Sequence, residues 1–233
     1  MTKINKNGVC QVQNIQKKIY YLKQNPLSVI VRTKTKNNAY KILKNTLENG
    51  FRFAEITLTI PQAFSIIKEI SLQYPEAMIG AGTVLTLKEA KTALEAGAQY
   101  LVSPVYNEEI LNWSIQNDIL YIPGVMSVNE MYLAIQKGAS LLKLYPSIAF
   151  TSQALSLIRD PFPNWPILAT GGINLSNILD YFEAGALAVG ITGELGSDRD
   201  VDIVDESKIA HLAFKYVDIV KNVIKKRGLK NDK

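Results

Sequence analysis

A lysine inside an apolar strand pattern is the residue of this sequence with the clearest potential for chemistry. Lys143 lies in the segment LLKLYP, with Leu142 and Leu144 on either side. An ammonium group in such a strand loses hydration, which lowers its pKa and frees a lone pair. A neutral amine can then attack a ketone and form a Schiff base. The alternative is a strand-end lysine whose ammonium group reaches solvent and has no chemical role.

A carboxylate occupies a comparable position in another apolar strand pattern. Glu55 is flanked by Phe53, Ala54 and Ile56, and an unpaired carboxylate is costly to bury there. Near Lys143 it would pair with the ammonium group or carry protons during imine formation. Lys and Glu together favour covalent amine chemistry over hydrolysis. A buried ion pair without catalytic function, or an acid at a strand end, is the alternative interpretation.

A glycine-rich turn offers a third chemical feature. The segment TGGIN (170–174) is predicted to expose backbone N–H groups at the start of a helix. Such positions bind phosphate, and barrels often carry a phosphate site after their seventh and eighth strands. A tight turn without any ligand is the competing explanation.

The elements that must position these residues alternate between apolar strands and amphipathic helices. The pattern predicts a lead-in helix over 11–24, then strands at 27–32, 53–58, 78–83, 100–103, 119–123, 141–145, 167–171 and 187–191. The intervening helices are predicted at 38–49, 61–73, 86–96, 107–117, 127–137, 151–159, 174–184 and 205–226. The sequence therefore contains eight strand–helix pairs.

The helix ends carry clear sequence signals. Four helices are followed by glycine, which favours the left-handed conformation just past a last turn; these are Gly50, Gly97, Gly138 and Gly185. Thr86 with Glu89 and Ser127 with Glu130 have the spacing of capping boxes. Asn107 precedes two glutamates, which suit a first helical turn.

Eight strand–helix pairs with short connections predict an α/β fold of the (β/α)₈ TIM-barrel type. An open doubly wound sheet is the main competitor. GAGT (80–83) lacks the third glycine of a dinucleotide loop, because Leu85 stands there, so a Rossmann site is rejected. The predicted organisation is an N-terminal helix and lead-in at 1–26, a single-domain barrel at 27–226 and a basic tail at 227–233.

The active site of such a barrel is expected at the C-terminal ends of its strands. Besides Lys143 and Glu55, the residues at those positions include Arg32, Thr83, Pro104, Gly171, Gly172, Gly190 and Thr192.

The residue counts exclude several classes of protein. Of 233 residues, 47% are hydrophobic and 20% are charged, so a large core is available and global disorder is excluded. One cysteine, Cys10, cannot form an internal disulfide, and one histidine, His211, cannot build a multi-histidine metal site. No membrane-spanning run or signal peptide is visible, so a cytoplasmic protein that does not bind membranes is expected.

The positive charge is concentrated at the ends of the sequence. Residues 1–50 carry ten Lys or Arg and one acid, and residues 221–233 carry six and one, within a net charge of +5. Basic ends can contact nucleic acid. No basic motif interleaved with aromatic residues accompanies them, so no nucleic-acid partner is expected.

These segments, in this order, resemble the 2-keto-3-deoxy-6-phosphogluconate (KDPG) aldolase family, together with its relatives the 4-hydroxy-2-oxoglutarate (KHG) and 6-phosphogalactonate aldolases. The matching pieces span about residues 27–195 and are EITL (55–58), PEAMIGAGTVL (75–85), AGAQYLVSP (96–104), IPGVMSVNE (122–130), KLYPS (143–147) and TGGIN (170–174). The resemblance implies a (β/α)₈ class I aldolase that forms a homotrimer and needs no metal or other cofactor.

The resemblance also implies a role for each candidate residue. Lys143 would form the Schiff base with pyruvate or a keto acid, and Glu55 would be the general acid and base. Thr83 would contact the pyruvyl carboxylate, Arg32 would contact the substrate, and Pro104 would shape the keto-acid pocket. The distal phosphate would bind at Gly171, Gly172, Gly190 and Thr192. The substrate would be a 2-keto-3-deoxy-6-phospho sugar acid or 4-hydroxy-2-oxoglutarate, cleaved to pyruvate and an aldehyde.

The sequence departs from the family pattern at two places near the predicted site. Thr59 stands where the phosphogluconate branch has an arginine, and Ile191 with Thr192 replaces a Gly-Ser pair. Ile191 is expected to narrow the phosphate pocket, and the helix after residue 205 is expected to be an extension. Two rivals remain open: another phosphate-binding barrel, such as a sugar-phosphate isomerase or a thiamine-phosphate-synthase-like enzyme, and a non-catalytic sugar-phosphate-binding homologue.

Overall fold

A computed structural model describes residues 15–198 and 203–228 of the chain. Cys10, the segment 1–14 of the predicted lead-in and the segment 229–233 of the predicted basic tail lie outside the described residues. The division into lead-in, barrel and tail stays a prediction.

The described residues contain one parallel sheet whose strands follow one another around a ring. The strands are β1 (Leu27–Val31), β2 (Phe53–Thr57), β3 (Met78–Gly82), β4 (Tyr100–Val102), β5 (Tyr121–Ile122), β6 (Gly124–Val125), β7 (Leu142–Leu144), β8 (Ile167–Thr170) and β9 (Ala188–Ile191). Their spatial order is β5-β4-β3-β2-β1-β9-β8-β7-β6.

The fifth strand, predicted at 119–123, is observed as β5 and β6 on either side of Pro123, so that it ends two residues later than predicted. Pro123 has no N–H to donate to a ladder, while its carbonyl accepts a hydrogen bond from the Lys143 backbone N–H at 2.9 Å. β5 pairs with β4 and β6 pairs with β7, so the two halves of one interrupted strand join both ends of the sheet. The fold is therefore an eight-stranded barrel, as predicted, and the open doubly wound sheet is excluded.

One helix precedes the first strand, and the other helices follow strands and pack around the barrel. The helices are α1 (Ile15–Gln24), α2 (Lys36–Glu48), α3 (Ala63–Gln73), α4 (Leu87–Glu95), α5 (Glu108–Gln116), α6 (Val128–Gln136), α7 (Ser152–Arg159), α8 (Ile178–Glu183), α9 (Gly193–Gly196) and α10 (Glu206–Lys226), with a 3₁₀ turn at Ser147–Ala149. α10 packs against α2, α8 and β1, so it is the helix of the eighth unit. The expectation that this helix extends beyond the family pattern stays a prediction.

The predicted helix caps are present. Thr86 and Ser127 form complete capping boxes with Glu89 and Glu130. The glycines after α2, α4, α6 and α8 have φ between 93° and 104°, the left-handed conformation that a Cβ would disfavour.

One helix begins later than the pattern predicts. α8 starts at Ile178 rather than at 174. The Asn174 side chain accepts a hydrogen bond from the Ser176 N–H, and the Asn177 side chain accepts one from the Asn174 N–H. These local bonds compete with helical ones and hold 174–177 as a turn. The TGGIN segment is therefore separated from the helix it was expected to begin.

The core consists of two apolar layers. The larger layer fills the space between the barrel and its helices. The smaller one fills the N-terminal half of the barrel interior, where Phe53, Met78 and Tyr100 pack above Ile19 and Leu22 of α1. α1 thus closes the N-terminal end and leaves the opposite end for a site. No helix within the described residues is long and apolar enough to cross a membrane.

Candidate active site

The two residues with the clearest chemical potential meet inside the barrel. Lys143 Nζ lies 3.1 Å from Glu55 Oε1 and 3.2 Å from Glu55 Oε2. Lys143 is 4% exposed and Glu55 is 1% exposed. Both carboxylate oxygens therefore accept hydrogen bonds from one ammonium group that is shielded from bulk solvent. At this distance a proton can pass directly between the two groups.

The barrel makes room for the carboxylate with a glycine. On β3, a Cβ at Gly82 would lie 2.1 Å from Glu55 Oε1 and 2.5 Å from its Cγ, so no other residue fits without displacing the acid. Two residues earlier on the same face, a Cβ at Gly80 would lie 2.4 Å from the Tyr100 ring. The Tyr100 ring thus occupies the interior toward the N-terminal end, and the Glu55 carboxylate occupies it toward the C-terminal end.

Arg32 and Thr83 lie together beside this pair. The Arg32 backbone N–H donates to the Gly196 carbonyl at 2.8 Å, and its Nη2 lies 3.5 Å from Thr83 Oγ1. Arg32 Nε is buried and has no hydrogen-bond partner among the described residues. Thr83 has φ of 58°, which is uncommon for a β-branched residue and concentrates at functional sites. A free buried donor next to a hydroxyl is suited to a carboxylate ligand.

A cavity of about 710 Å³ opens at the C-terminal end of the barrel. Five predicted site residues line it: Arg32, Lys143, Gly171, Gly172 and Thr192. Gly171 and Gly172 have φ of 88° and 86°, and a Cβ at Gly172 would lie 2.5 Å from Ile148 Cβ. The turn therefore needs glycine at both positions, and it faces the same cavity as the lysine.

Four predicted residues are not among those that line this cavity: Glu55 and Thr83, which lie beside it as described above, and Pro104 and Gly190. The Pro104 carbonyl packs against Gly124, where a Cβ would lie 2.3 Å from its oxygen. A Cβ at Gly190 would lie 2.6 Å from Ile30 Cδ1 and 2.7 Å from Thr170 Cγ2. In this structure Pro104 and Gly190 have packing contacts in the barrel wall.

The expectation that Ile191 narrows the phosphate pocket was wrong. Ile191 is fully buried in the layer between barrel and helices, and it is absent from the residues that line the cavity. Successive side chains on a strand face opposite sides, so the residue before Thr192 faces the helices rather than the site.

The cavity also contains charged residues that sequence reasoning missed. Glu194 on α9, together with Asp205 and Lys208 at the start of α10, lines its outer part. Glu194 Oε1 accepts a hydrogen bond from Tyr216 Oη at 2.5 Å, and burial together with this acid raises the pKa of Tyr216. None of the ion pairs in the described ranges includes Lys208. No sequence signal marks these residues, because charged side chains on an amphipathic helix normally face solvent.

The comparisons with known proteins agree on one family. The sequence model described as "KDPG and KHG aldolase" matches residues 19–212. A 2-dehydro-3-deoxy-phosphogluconate aldolase of Pseudoalteromonas atlantica is 31% identical over 191 residues, which cover 82% of this chain and 89% of the relative.

Two solved structures of related aldolases share the fold over most of this chain. A native KDPGal structure superposes with a TM-score of 0.78 at 26% identity, covering 86% of this chain and 96% of that one. A KDPG aldolase of Legionella pneumophila, with pyruvate captured as a covalent carbinolamine, has a TM-score of 0.70 at 25% identity and covers 88% and 97%.

Proposed function

The chain belongs to the KDPG and KHG aldolase family, and from that premise we propose that it cleaves a 2-keto-4-hydroxy acid by Schiff-base chemistry at Lys143. The products are pyruvate and an aldehyde: glyceraldehyde 3-phosphate from a 2-keto-3-deoxy-6-phospho sugar acid, or glyoxylate from 4-hydroxy-2-oxoglutarate. The observation that carries this proposal is the buried Lys143 amine, 3.1 Å from the Glu55 carboxylate and open to the cavity.

The reaction begins at the lysine. Lys143 transfers a proton to Glu55 and its amine attacks the C2 ketone of the substrate. The resulting carbinolamine loses water, with Glu55 returning the proton to the departing hydroxyl group, and an iminium forms. The positive nitrogen then accepts the electron pair of the C3–C4 bond.

Cleavage follows when the C4 hydroxyl group loses its proton. Glu55 takes that proton, directly or through a water molecule, and the aldehyde leaves as the C3–C4 bond breaks. Glu55 gives its proton to C3 of the enamine that remains, and water then hydrolyses the iminium to pyruvate and the Lys143 ammonium group. Each proton that Glu55 takes up is given back, so the enzyme returns to its starting state.

The keto-acid carboxylate is proposed to bind at Arg32 and Thr83. The buried Arg32 Nε has no hydrogen-bond partner among the residues of the two described segments, and an anion there would supply one. Pro104 is proposed to shape the wall of this pocket without contacting the substrate carboxylate.

The distal end of the substrate is proposed to face Gly171, Gly172 and Thr192, with Gly190 allowing the strand to pack closely behind them. Left-handed glycines expose backbone N–H groups that suit phosphate oxygens. Lys208 supports a phosphate with a positive charge, whereas Glu194 opposes one. Asp205 adds a second negative charge, so the outer cavity is proposed to select among substrates by the balance between Lys208 and these two acids.

The test of the chemistry is to trap the intermediate. Incubation with pyruvate and sodium borohydride should reduce the iminium and leave a stable adduct, located on Lys143 by peptide mass spectrometry. Lys143→Ala should show no adduct, and Lys18, which is also buried, should stay unmodified in both proteins. Folded protein that gains no adduct would refute the proposal.

The test of the substrate is a panel of phosphorylated and unphosphorylated 2-keto-3-deoxy acids, assayed by pyruvate release. If Lys208 binds the phosphate, Lys208→Ala should raise KM for phosphorylated substrates by about threefold, the expected size for an exposed ion pair. KM for 4-hydroxy-2-oxoglutarate should stay the same or fall. An equal change for both substrates would show that Lys208 does not select for phosphate.

A homotrimer is proposed for the assembled enzyme. Large apolar residues are exposed on loops and a helix that follow neighbouring strands, namely Leu85, Val105, Met126, Val128 and Leu133. Such residues mark contacts between subunits. Sedimentation should give three times 25.9 kDa, and Val105→Glu with Met126→Glu should give the monomer mass.

We also propose a cytoplasmic location, since one cysteine provides no disulfide framework.

A further inference from the structure

A second cavity, of about 540 Å³, lies at the opposite end of the barrel from Lys143. Its walls come from segments that lead into β8 and β9: residues 163–166, the turn at 185–187, the end of α7 and the C-cap of α10. Lys23 of α1 completes it. Neither the proposed aldolase reaction nor its substrate uses this end of the fold.

Three cations surround this cavity, and none of the described residues that line it is an acid. Lys23, Arg159 and Arg227 line it, and none of them takes part in an ion pair within residues 15–198 and 203–228. Burial, together with the nearby charge of Arg159, lowers the pKa of Arg227. The two guanidinium groups therefore repel each other, and an anion between them would remove that cost.

Backbone carbonyls hold both guanidinium groups in place. Arg159 donates to Pro163 O at 2.6 Å and to Trp165 O at 3.1 Å. Arg227 donates to Ala186 O at 2.7 Å and to Leu187 O at 2.9 Å. A guanidinium has five N–H donors, so each group keeps donors for a ligand after these bonds are made.

Aromatic rings fix the rest of the pocket. The Arg227 guanidinium lies 5.1 Å from the centre of the Phe182 ring, and Trp165 stacks on Phe162 with ring centres 3.8 Å apart. The side chains that would bind an anion are thus ordered before it arrives, which reduces the entropy cost of binding. Trp165 also gives the cavity its own fluorescent reporter.

We propose that Lys23, Arg159 and Arg227 form a binding site for a phosphate group, either inorganic phosphate or a small phosphate ester, at the N-terminal end of the barrel. Phosphate fits these donors because its oxygens accept bidentate bonds from guanidinium groups and its charge balances two cations. The site is separate from the aldolase cavity and does not depend on the proposed function.

The experiment follows Trp165 fluorescence in a Trp113→Phe background, so that one tryptophan reports. The full chain is titrated with sodium phosphate, with sn-glycerol 3-phosphate and with sodium chloride at matched ionic strength. Saturable changes with either phosphate compound, and none with chloride, are expected. Preference for the ester would identify a metabolite as the natural ligand, and equal binding would identify free phosphate.

Variants separate this site from phosphate binding in the aldolase cavity. Arg159→Gln should weaken binding by at least about tenfold, because hydrogen bonds to charged groups are lost. Lys23→Ala, at an exposed position, should weaken it by about two- to fivefold and leave pyruvate release unchanged. Titrations that neither variant alters would overturn the proposal, as would the absence of any saturable change.

A shortened chain that ends at Gly228 tests a competing occupant. The segment 229–233 begins two residues after Arg227 and contains Asp232. Equal phosphate affinity in the full and shortened chains supports the site. Phosphate binding that appears only in the shortened chain would show that the chain's own acids occupy the pocket, and it would overturn the proposal.

Discussion

Two buried lysines lie at opposite ends of the same barrel and differ in what surrounds them. Lys143 is 4% exposed and Lys18 is 7% exposed. Lys143 bonds both oxygens of the Glu55 carboxylate and lines a cavity. Lys18 donates to the Gln99 carbonyl at 2.7 Å and lines neither of the two cavities.

The difference shows that burial of an amine does not by itself create a reactive site. Burial lowers the pKa of Lys18, and the Asp118 charge opposes this only in part. A neutral Lys18 amine would still have no carbonyl substrate to attack, because apolar side chains fill the barrel above it. A reactive lysine needs an acid that takes up and returns protons and a space that admits substrate, and only Lys143 combines them here.

The largest effect is expected when the Lys143 pair is broken. Lys143→Met should lower kcat by at least about 10³-fold, because the covalent route is lost. It should also lower the free energy of unfolding by about 3–5 kcal/mol, since Glu55 is left buried without its cation. Urea denaturation and pyruvate release measure the two effects.

The double variant Lys143→Met with Glu55→Gln is the control for that result. It leaves no buried charge, so it should be more stable than Lys143→Met while remaining inactive. Glu55→Gln alone should slow the reaction by about 10²-fold. A fully active Lys143→Met protein, or a Lys18→Met protein without activity, would reverse the roles of the two lysines.

A smaller change should move the acid without removing it. Gly82→Ala would place a Cβ 2.1 Å from Glu55 Oε1, so the carboxylate must shift away from Lys143. A displacement of about 1 Å can cost about 10²-fold in rate, and kcat should fall to that extent. Steady-state kinetics with pyruvate release as the readout measures it.

A neighbouring position shows whether that effect is specific. Ala81→Gly removes a methyl group from the helix-facing side of the same strand, where Ala81 is fully buried. The substitution should lower the free energy of unfolding. It should leave kcat within about twofold, because the lost methyl group faces the helices and the surroundings of Glu55 and Lys143 do not change. Equal losses of kcat in both variants would show that β3 tolerates no change at all.

Local sequence patterns were enough to predict the barrel and to single out Lys143 and Glu55. Apolar residues recur with one period in strands and another in helices, so the alternation of the two elements can be read from the sequence. Each capping box is formed by residues that are close in sequence, as at Thr86 and Glu89. Lys143 and Glu55 stood out because charge is rare in apolar strands. Their distance of 3.1 Å depends on the closure of the ring, which no local pattern encodes.

Features that depend on long-range packing were not predicted. Pro123 divides a strand whose first half pairs with β4 and whose second half pairs with β7, and neither pairing is visible in the sequence around the proline. Ile191 was assigned to the wrong face, and Lys208 reaches the cavity from a helix that looked like an extension. Arg159 and Arg227 are distant in sequence, and only the docking of α10 brings them to one pocket.

The smallest expected effect lies at the other lysine and appears as a pH dependence of stability. The pKa of Lys18 is lowered from 10.5 in the folded protein. At pH values between this lowered pKa and 10.5, Lys18 therefore carries a proton in the unfolded chain and none in the folded chain. Stability therefore rises with pH through this window. At pH values below this window, burial of the charged Lys18 lowers the free energy of unfolding by its full amount. Above pH 10.5 Lys18 is neutral in both states, and this loss of stability is absent.

Replacement of Lys18 isolates this contribution. The free energy of unfolding of the unsubstituted protein minus that of Lys18→Met should increase as pH rises toward 10.5, when both are measured by urea denaturation. Lys17→Met, at the exposed neighbouring position, should follow the unsubstituted protein at every pH. Lys18→Met should also keep its aldolase activity, because Lys18 contacts a backbone carbonyl and not the cavity. A difference that stays constant with pH would mean that Lys18 keeps its proton in both states. The contrast between the two lysines would then rest on Glu55 and on the cavity that Lys143 lines and Lys18 does not.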